Sequence, residues 1–124
     1  MTDFEDFEKS INNMINSMED IVSERMGDFL DKVVADLKST TPKGSGGLAE
    51  SWGRSDISKE GNIYSTEVGS NLDNAEDFEY GYFTENGELV KGQLTFTNAI
   101  AKADKNFEEV VQDILNDIVK ESKL

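Results

Sequence analysis

An apolar residue recurs every three or four positions along the first third of the chain. The series is Phe4, Phe7, Ile11, Met14, Met18, Val22, Met26, Phe29, Val33 and Leu37. The steps average about 3.7 residues, the period of a nearly straight helix with one buried stripe. The pattern predicts a single helix over residues 3–39. Thr2 and Glu5 have the spacing of a capping box at its start. Pro42 disfavours helical geometry at Thr41 and ends it. At 1.5 Å per residue such a helix is about 55 Å long. A compact chain of 124 residues is only about 35 Å across, so a straight helix overhangs its own domain. Gly27 offers a bend, since glycine costs about 1 kcal/mol against alanine inside a helix. Otherwise the overhang packs on a neighbouring subunit. The stripe continues back to Phe4, so the overhang is not a polar tail. That favours subunit packing through Phe4, Phe7, Ile11 and Met14.

A second stripe predicts a helix over 97–122. Ala99, Ile100, Ala103, Phe107, Val110, Val111, Ile114, Leu115 and Ile118 share one face, and Thr97 is the candidate N-cap. Between the helices, residues 43–47 form a glycine-rich loop containing Gly44, Ser45, Gly46 and Gly47. Residues 49–58 and 62–70 are predicted strands, turning at Lys59-Glu60-Gly61, with Trp52 a core anchor or an interface residue. Residues 71–81 read as a loop with one helical turn over 74–79. Residues 80–90 read as a hairpin around Asn86-Gly87, which tolerates positive φ. Helix, strands, helix implies an α+β fold. The expectation is one domain over 1–124: a long N-terminal helix, a small antiparallel sheet of about four strands in hairpins across 49–95, and a C-terminal helix packed on the sheet.

The net charge is −14, and the chain has no histidine and no cysteine. The usual neutral-pH base, the commonest zinc ligands and a thiol nucleophile are therefore missing. No catalytic residue, cofactor site or metal site is assigned. Gly44-Ser45-Gly46-Gly47 lacks the Lys-Ser/Thr of a P-loop, and the acids near residue 75 do not have the spacing of a calcium loop. The excess of acid disfavours docking on nucleic-acid phosphates or anionic lipid. No apolar run reaches the ~18 residues of a membrane span, and the acidic start of the chain gives no expectation of a secretory signal. Asp73, Glu76, Asp77, Glu79, Glu85 and Glu88 lie in a segment, 71–88, without Lys or Arg. They form a candidate negative face.

Three short elements, Thr41-Pro42-x-x-Ser45-Gly46-x-Leu48-x-x-Ser51-Trp52, Ala75 to Gly81 and Gly87 to Gly92, together resemble the head–tail joining, or tail-completion, proteins of long-tailed bacteriophages. That family's Thr-Pro-x-x-Thr-Gly-x-Leu-x-x-Ser-Trp stands here as Thr41-Pro42, Ser45-Gly46, Leu48 and Ser51-Trp52. Its Ala-x-Tyr-Val-Glu-x-Gly element stands as Ala75 to Gly81, after Asn71, and its Gly-x-x-Val-x-Gly element as Gly87 to Gly92. Gly44 and Gly47 replace the family's usual Asp and Arg, and Asn74 its usual Tyr. The resemblance implies a structural virion protein of the phage neck, present in the host cytoplasm before assembly and catalysing nothing. It implies a homo-oligomeric ring, commonly a hexamer, at the head-proximal end of the tail. Such a ring contacts connector or stopper proteins and tail-tube proteins, and DNA passes through it without specific binding. No membrane is involved. Phe4, Phe7, Ile11, Met14, Gly44, Ser45, Gly46, Gly47, Glu85, Asn86 and Gly87 are the candidate contact residues, and the acids of 71–88 the candidate lumen or docking face. The alternative is an acidic DNA mimic that inhibits a nuclease or other DNA-binding protein. Asp20, Glu24, Asp28 and Asp31 would supply its carboxylates, although Arg25 and Lys32 interrupt that row.

Overall fold

The computed structural model describes residues 3–42 and 47–122. Thr2, Gly44, Ser45 and Gly46 lie outside the described residues. Helix α1 runs unbroken from Asp3 to Thr40, about 57 Å at 1.5 Å per residue. Gly27 does not interrupt it. That glycine is buried because the following hairpin crosses it closely: a Cβ there would stand 3.3 Å from Arg54 Nη2 and 3.6 Å from Ile57 Cδ1. An alanine there would sit close against the ends of two flexible side chains of that hairpin.

After Pro42 the chain forms a short helix α2, Leu48–Ser51, where a strand was expected. Leu48 and Ala49 both point into the core, which a strand's alternation cannot arrange for adjacent residues. Strands β1 (Gly53–Arg54), β2 (Ser58–Glu60), β3 (Ile63–Ser65) and β4 (Val68–Gly69) follow. β1 pairs with β4 and β2 with β3, all antiparallel. The register moves by one between the two pairs: Arg54 faces Val68 but Ser58 faces Ser65. Three residues, 55–57, therefore oppose two, 66–67, which is a bulge. Ser55 closes it: its N–H donates to Glu67 O at 2.9 Å, and its Oγ accepts from Glu67 N at 2.9 Å. The 53–69 segment is thus one bulged hairpin lying along α1, tied there by Arg54–Asp31 at 2.7 Å and by Lys59–Glu19.

Helix α3 spans Ala75–Tyr80, close to the expected helical turn. Strands β5 (Gly81–Phe83) and β6 (Leu89–Lys91) form a second antiparallel hairpin. Thr84 N–H donates to Glu88 O at 2.8 Å and Gly87 N–H to Thr84 O at 2.9 Å. The connection is a three-residue loop, 85–87, in which Gly87 alone has positive φ, +82°. The expected two-residue turn at Asn86-Gly87 would need positive φ at both.

Helix α4, Thr95–Ser122, lies antiparallel along α1. Lys102 meets Asp36, Phe107 meets Phe29 with ring centres 6.2 Å apart, and Asp117 meets Arg25 at 2.6 Å. Its main partner is α1 rather than the strands. The α+β order stands, with six short strands in three separate pairs among the described residues. The core sits where α1, α2 and α4 meet: Val33, Leu37, Leu48, Trp52 and Ala99 are buried, with Phe29, Val68, Phe78 and Phe96 packed around them.

Candidate functional site

The Thr41–Trp52 element is an internal clasp. Trp52 Nε1–H donates to Thr41 Oγ1 at 2.8 Å, and that hydroxyl donates to Leu37 O at 2.6 Å. The tryptophan is thereby tied to the last turn of α1, and its ring stacks on Phe96 of α4 at 5.6 Å. Ser51 Oγ donates to Leu48 O at 2.6 Å and lies 2.6 Å from Ser70 Oγ. Since Ser51 has one hydroxyl proton, Ser70 is the donor between them. Thr, Leu, Ser and Trp at this spacing close α2 against the end of α1 and the end of β4.

The Ala75–Gly81 and Gly87–Gly92 elements make a second clasp. Glu79, only 6% exposed, aims its carboxylate at the start of α4. It accepts from Phe96 N at 2.7 Å and from Thr97 N at 3.3 Å. Those are the amides that an N-cap side chain ordinarily satisfies. Leu94 holds the N-cap position here, with Asn98 N donating to its carbonyl, and a leucine has no acceptor to offer. A carboxylate fifteen positions earlier does the work, helped by the positive end of the helix dipole. Gly81, at φ +86°, and Gly92 permit the crossing that brings Glu79 there. A Cβ on Gly81 would stand 2.5 Å from Val90 O, and one on Gly92 would stand 2.5 Å from Tyr80 C. Gln93 N and Leu94 N then bond back to Phe78 O and Glu79 O.

Among the described residues, six apolar side chains are buried and fifteen large ones are exposed. Phe4 and Phe7, 73% and 63% exposed, lie on the first turns of α1, while Ile11 and Met14 are half-buried. Phe83 and Leu89, 72% and 65% exposed, face each other across one rung of the β5–β6 hairpin. Gly47, Glu85, Asn86 and Gly87 are exposed. Of the proposed acids, Asp73, Glu76, Asp77, Glu85 and Glu88 are exposed, but Glu79 is not, and it leaves that set. No three metal-binding side chains converge among the described residues. A groove of roughly 500 Å³ between α1 and α4 has Phe29, Val33, Ala99 and Ala103 in its floor and charges of both signs at its rim. It selects no class of charged ligand. No described helix is long and apolar enough to cross a membrane.

Each ion pair among the described residues has one partner on α1. The hydrogen bond from Arg54 holds the Asp31 carboxyl below the ordinary aspartate range, and Asp31 raises Arg54 in return. Asp117 raises Arg25, and Glu19 raises Lys59, in the same way. Asp31 is thus not a free member of the acidic row on α1.

One family model matches residues 5–87, about two thirds of the chain: the HK97-gp10-like family, described as "Bacteriophage HK97-gp10, putative tail-component". The chain belongs to the HK97-gp10-like family. No curated protein and no solved structure gives a match. The HK97-gp10-like match runs from α1 through the Thr41–Trp52 clasp and α3 to the tip of the second hairpin, and stops short of Gly92 and α4. It agrees with the resemblance drawn from the three elements: this is a phage tail component, a part of the virion. The two clasps, which hold most residues of those elements, are scaffold. The signal missed in the sequence was the exposed pair Phe83 and Leu89. Their alternation about the hairpin was legible, but which face remained uncovered was not.

Proposed function

We propose that this chain acts as a single-domain structural subunit of the phage neck. It assembles into a ring at the head-proximal end of the tail and joins the tail to the head connector around a DNA channel. The observation that carries the reading is the imbalance between buried and exposed apolar side chains in a member of a tail-component family. A surface of that kind is characteristic of proteins completed by their neighbours. In this reading, Phe4, Phe7, Ile11 and Met14 pack against an adjacent copy. The 43–47 loop and the 85–87 loop reach connector, stopper or tail-tube proteins. Asp73, Glu76, Asp77, Glu85 and Glu88 line the lumen or a docking face, where negative charge keeps DNA phosphates from adhering.

Electron microscopy of particles made without this protein tests the assignment. Filled heads and separate tails are the expected result. Intact, infectious particles overturn it. Reversing four of the five exposed acids to lysine slows or blocks DNA ejection if they face the channel, and unchanged ejection removes the lumen from the proposal.

A further inference from the structure

We infer that the β5–β6 hairpin is a plug for a different virion protein, one that offers an apolar slot with a basic rim. The inference rests on the neck reading and specifies the chemistry of one contact. Alternate residues of a strand point to opposite faces. Phe83 and Leu89 form one rung, and Tyr82 and Val90 the next on the other face. Both rungs are exposed, so the ribbon is apolar on both sides. Each of its strands is paired on one edge only. A lone two-stranded ribbon is marginal in water. This one is fixed at its base by the Gly81–Gly92 crossing and by the bonds from Gln93 and Leu94 to α3. It is held out from the body rather than folded onto it.

Charge selects the occupant. The tip carries Glu85 and Glu88, and the approach to the base carries Asp73, Glu76 and Asp77, while the one cation of the ribbon, Lys91, stands at its base, away from the tip. A second copy of the chain brings a net charge of −14, which makes it a poor match for this acidic tip, and the copy-to-copy contact of the ring is assigned to the other end of the molecule, at Phe4 and Phe7. An anionic bilayer is disfavoured for the same reason. A slot whose rim carries Lys or Arg complements both the apolar flanks and the tip.

The test places a photo-crosslinking phenylalanine analogue at position 83 in the protein of assembled virions. The expected product joins this chain to another virion protein at a surface bearing Lys or Arg. A product joining two copies of the chain, or no product, overturns the inference. In parallel, Phe83→Ser with Leu89→Ser, and Glu85→Lys with Glu88→Lys, are each expected to lower particle titre at least about tenfold. These side chains are exposed, so the circular-dichroism melt of the purified variants stays at the parent value. Parent titre from both variants overturns the inference. If the protein is missing from purified virions, the neck reading fails first, a result distinct from a failed crosslink in particles that contain it.

Discussion

Removing the carboxylate of Glu79 is the most direct test of how the fold is held. In Glu79→Ala the amides of Phe96 and Thr97 lose their acceptor at a site where Leu94 offers none. Loss of an N-cap costs about 1–2 kcal/mol, and loss of a partly buried negative charge at a helix start costs about 1 kcal/mol more. The expected total is about 2–3 kcal/mol. With about 2.1 cal/mol/K per residue, the unfolding entropy of this chain is about 0.26 kcal/mol/K. The melting temperature should fall by about 8–12 °C. Glu79→Gln keeps the shape and one carbonyl acceptor but loses the charge, and should fall by roughly 4 °C. Thermal melts followed by circular dichroism read the whole fold. Trp52 fluorescence reads this site in particular, because its ring stacks on Phe96 in the first turn of α4. An alanine variant melting within about 2 °C of the parent would refute the cap.

Other perturbations separate the remaining contacts. Thr41→Val removes the acceptor of Trp52 Nε1 and should cost about 1–3 kcal/mol in denaturant unfolding, whereas Thr41→Ser should stay near the parent. Gly81→Ala drives a methyl into Val90 O and should cost at least about 2 kcal/mol, seen as lost protection of the β5–β6 amides in hydrogen exchange. Asp31 has a lowered pKa in the fold, so its contribution is present above the ordinary aspartate range and is lost as pH falls through the lowered value. A carboxyl NMR titration should show that low value, and Arg54→Gln should return it to the ordinary range. Leu94→Gly relieves a left-handed backbone, φ 53°, and should raise stability by a few tenths to about 1 kcal/mol in the same unfolding assay.

The sequence made the two long helices legible because their stripes are local and periodic. The α1 bounds were expected at 3–39 and lie at Asp3–Thr40, while α4 was expected from Thr97 and starts at Thr95. That difference has a physical cause. Thr97 reads as a local N-cap, but the carboxylate that caps α4 comes from α3, and a pattern along the chain does not reveal a long-range cap. The same limit hid the surroundings of Gly27, which a hairpin distant in the chain crosses closely, and the bulge at 55–57, which appears only when two strands are set in register. Glu79 looked like its acidic neighbours because composition does not distinguish a buried carboxylate from a solvated one. The hairpin 81–91 was legible in its turn residues, but not the bareness of Phe83 and Leu89.

The ion pairs on α1 have a mechanical consequence. Lys59 grips the helix at Glu19, and the stretch from there to Asp3 is about 24 Å of helix. A tilt of about 10° at the grip swings the Phe4 end through about 4 Å. Small angular adjustments at the clamped end thus become displacements of roughly an atom's diameter at the far tip, without any hydrogen bond in the helix being broken.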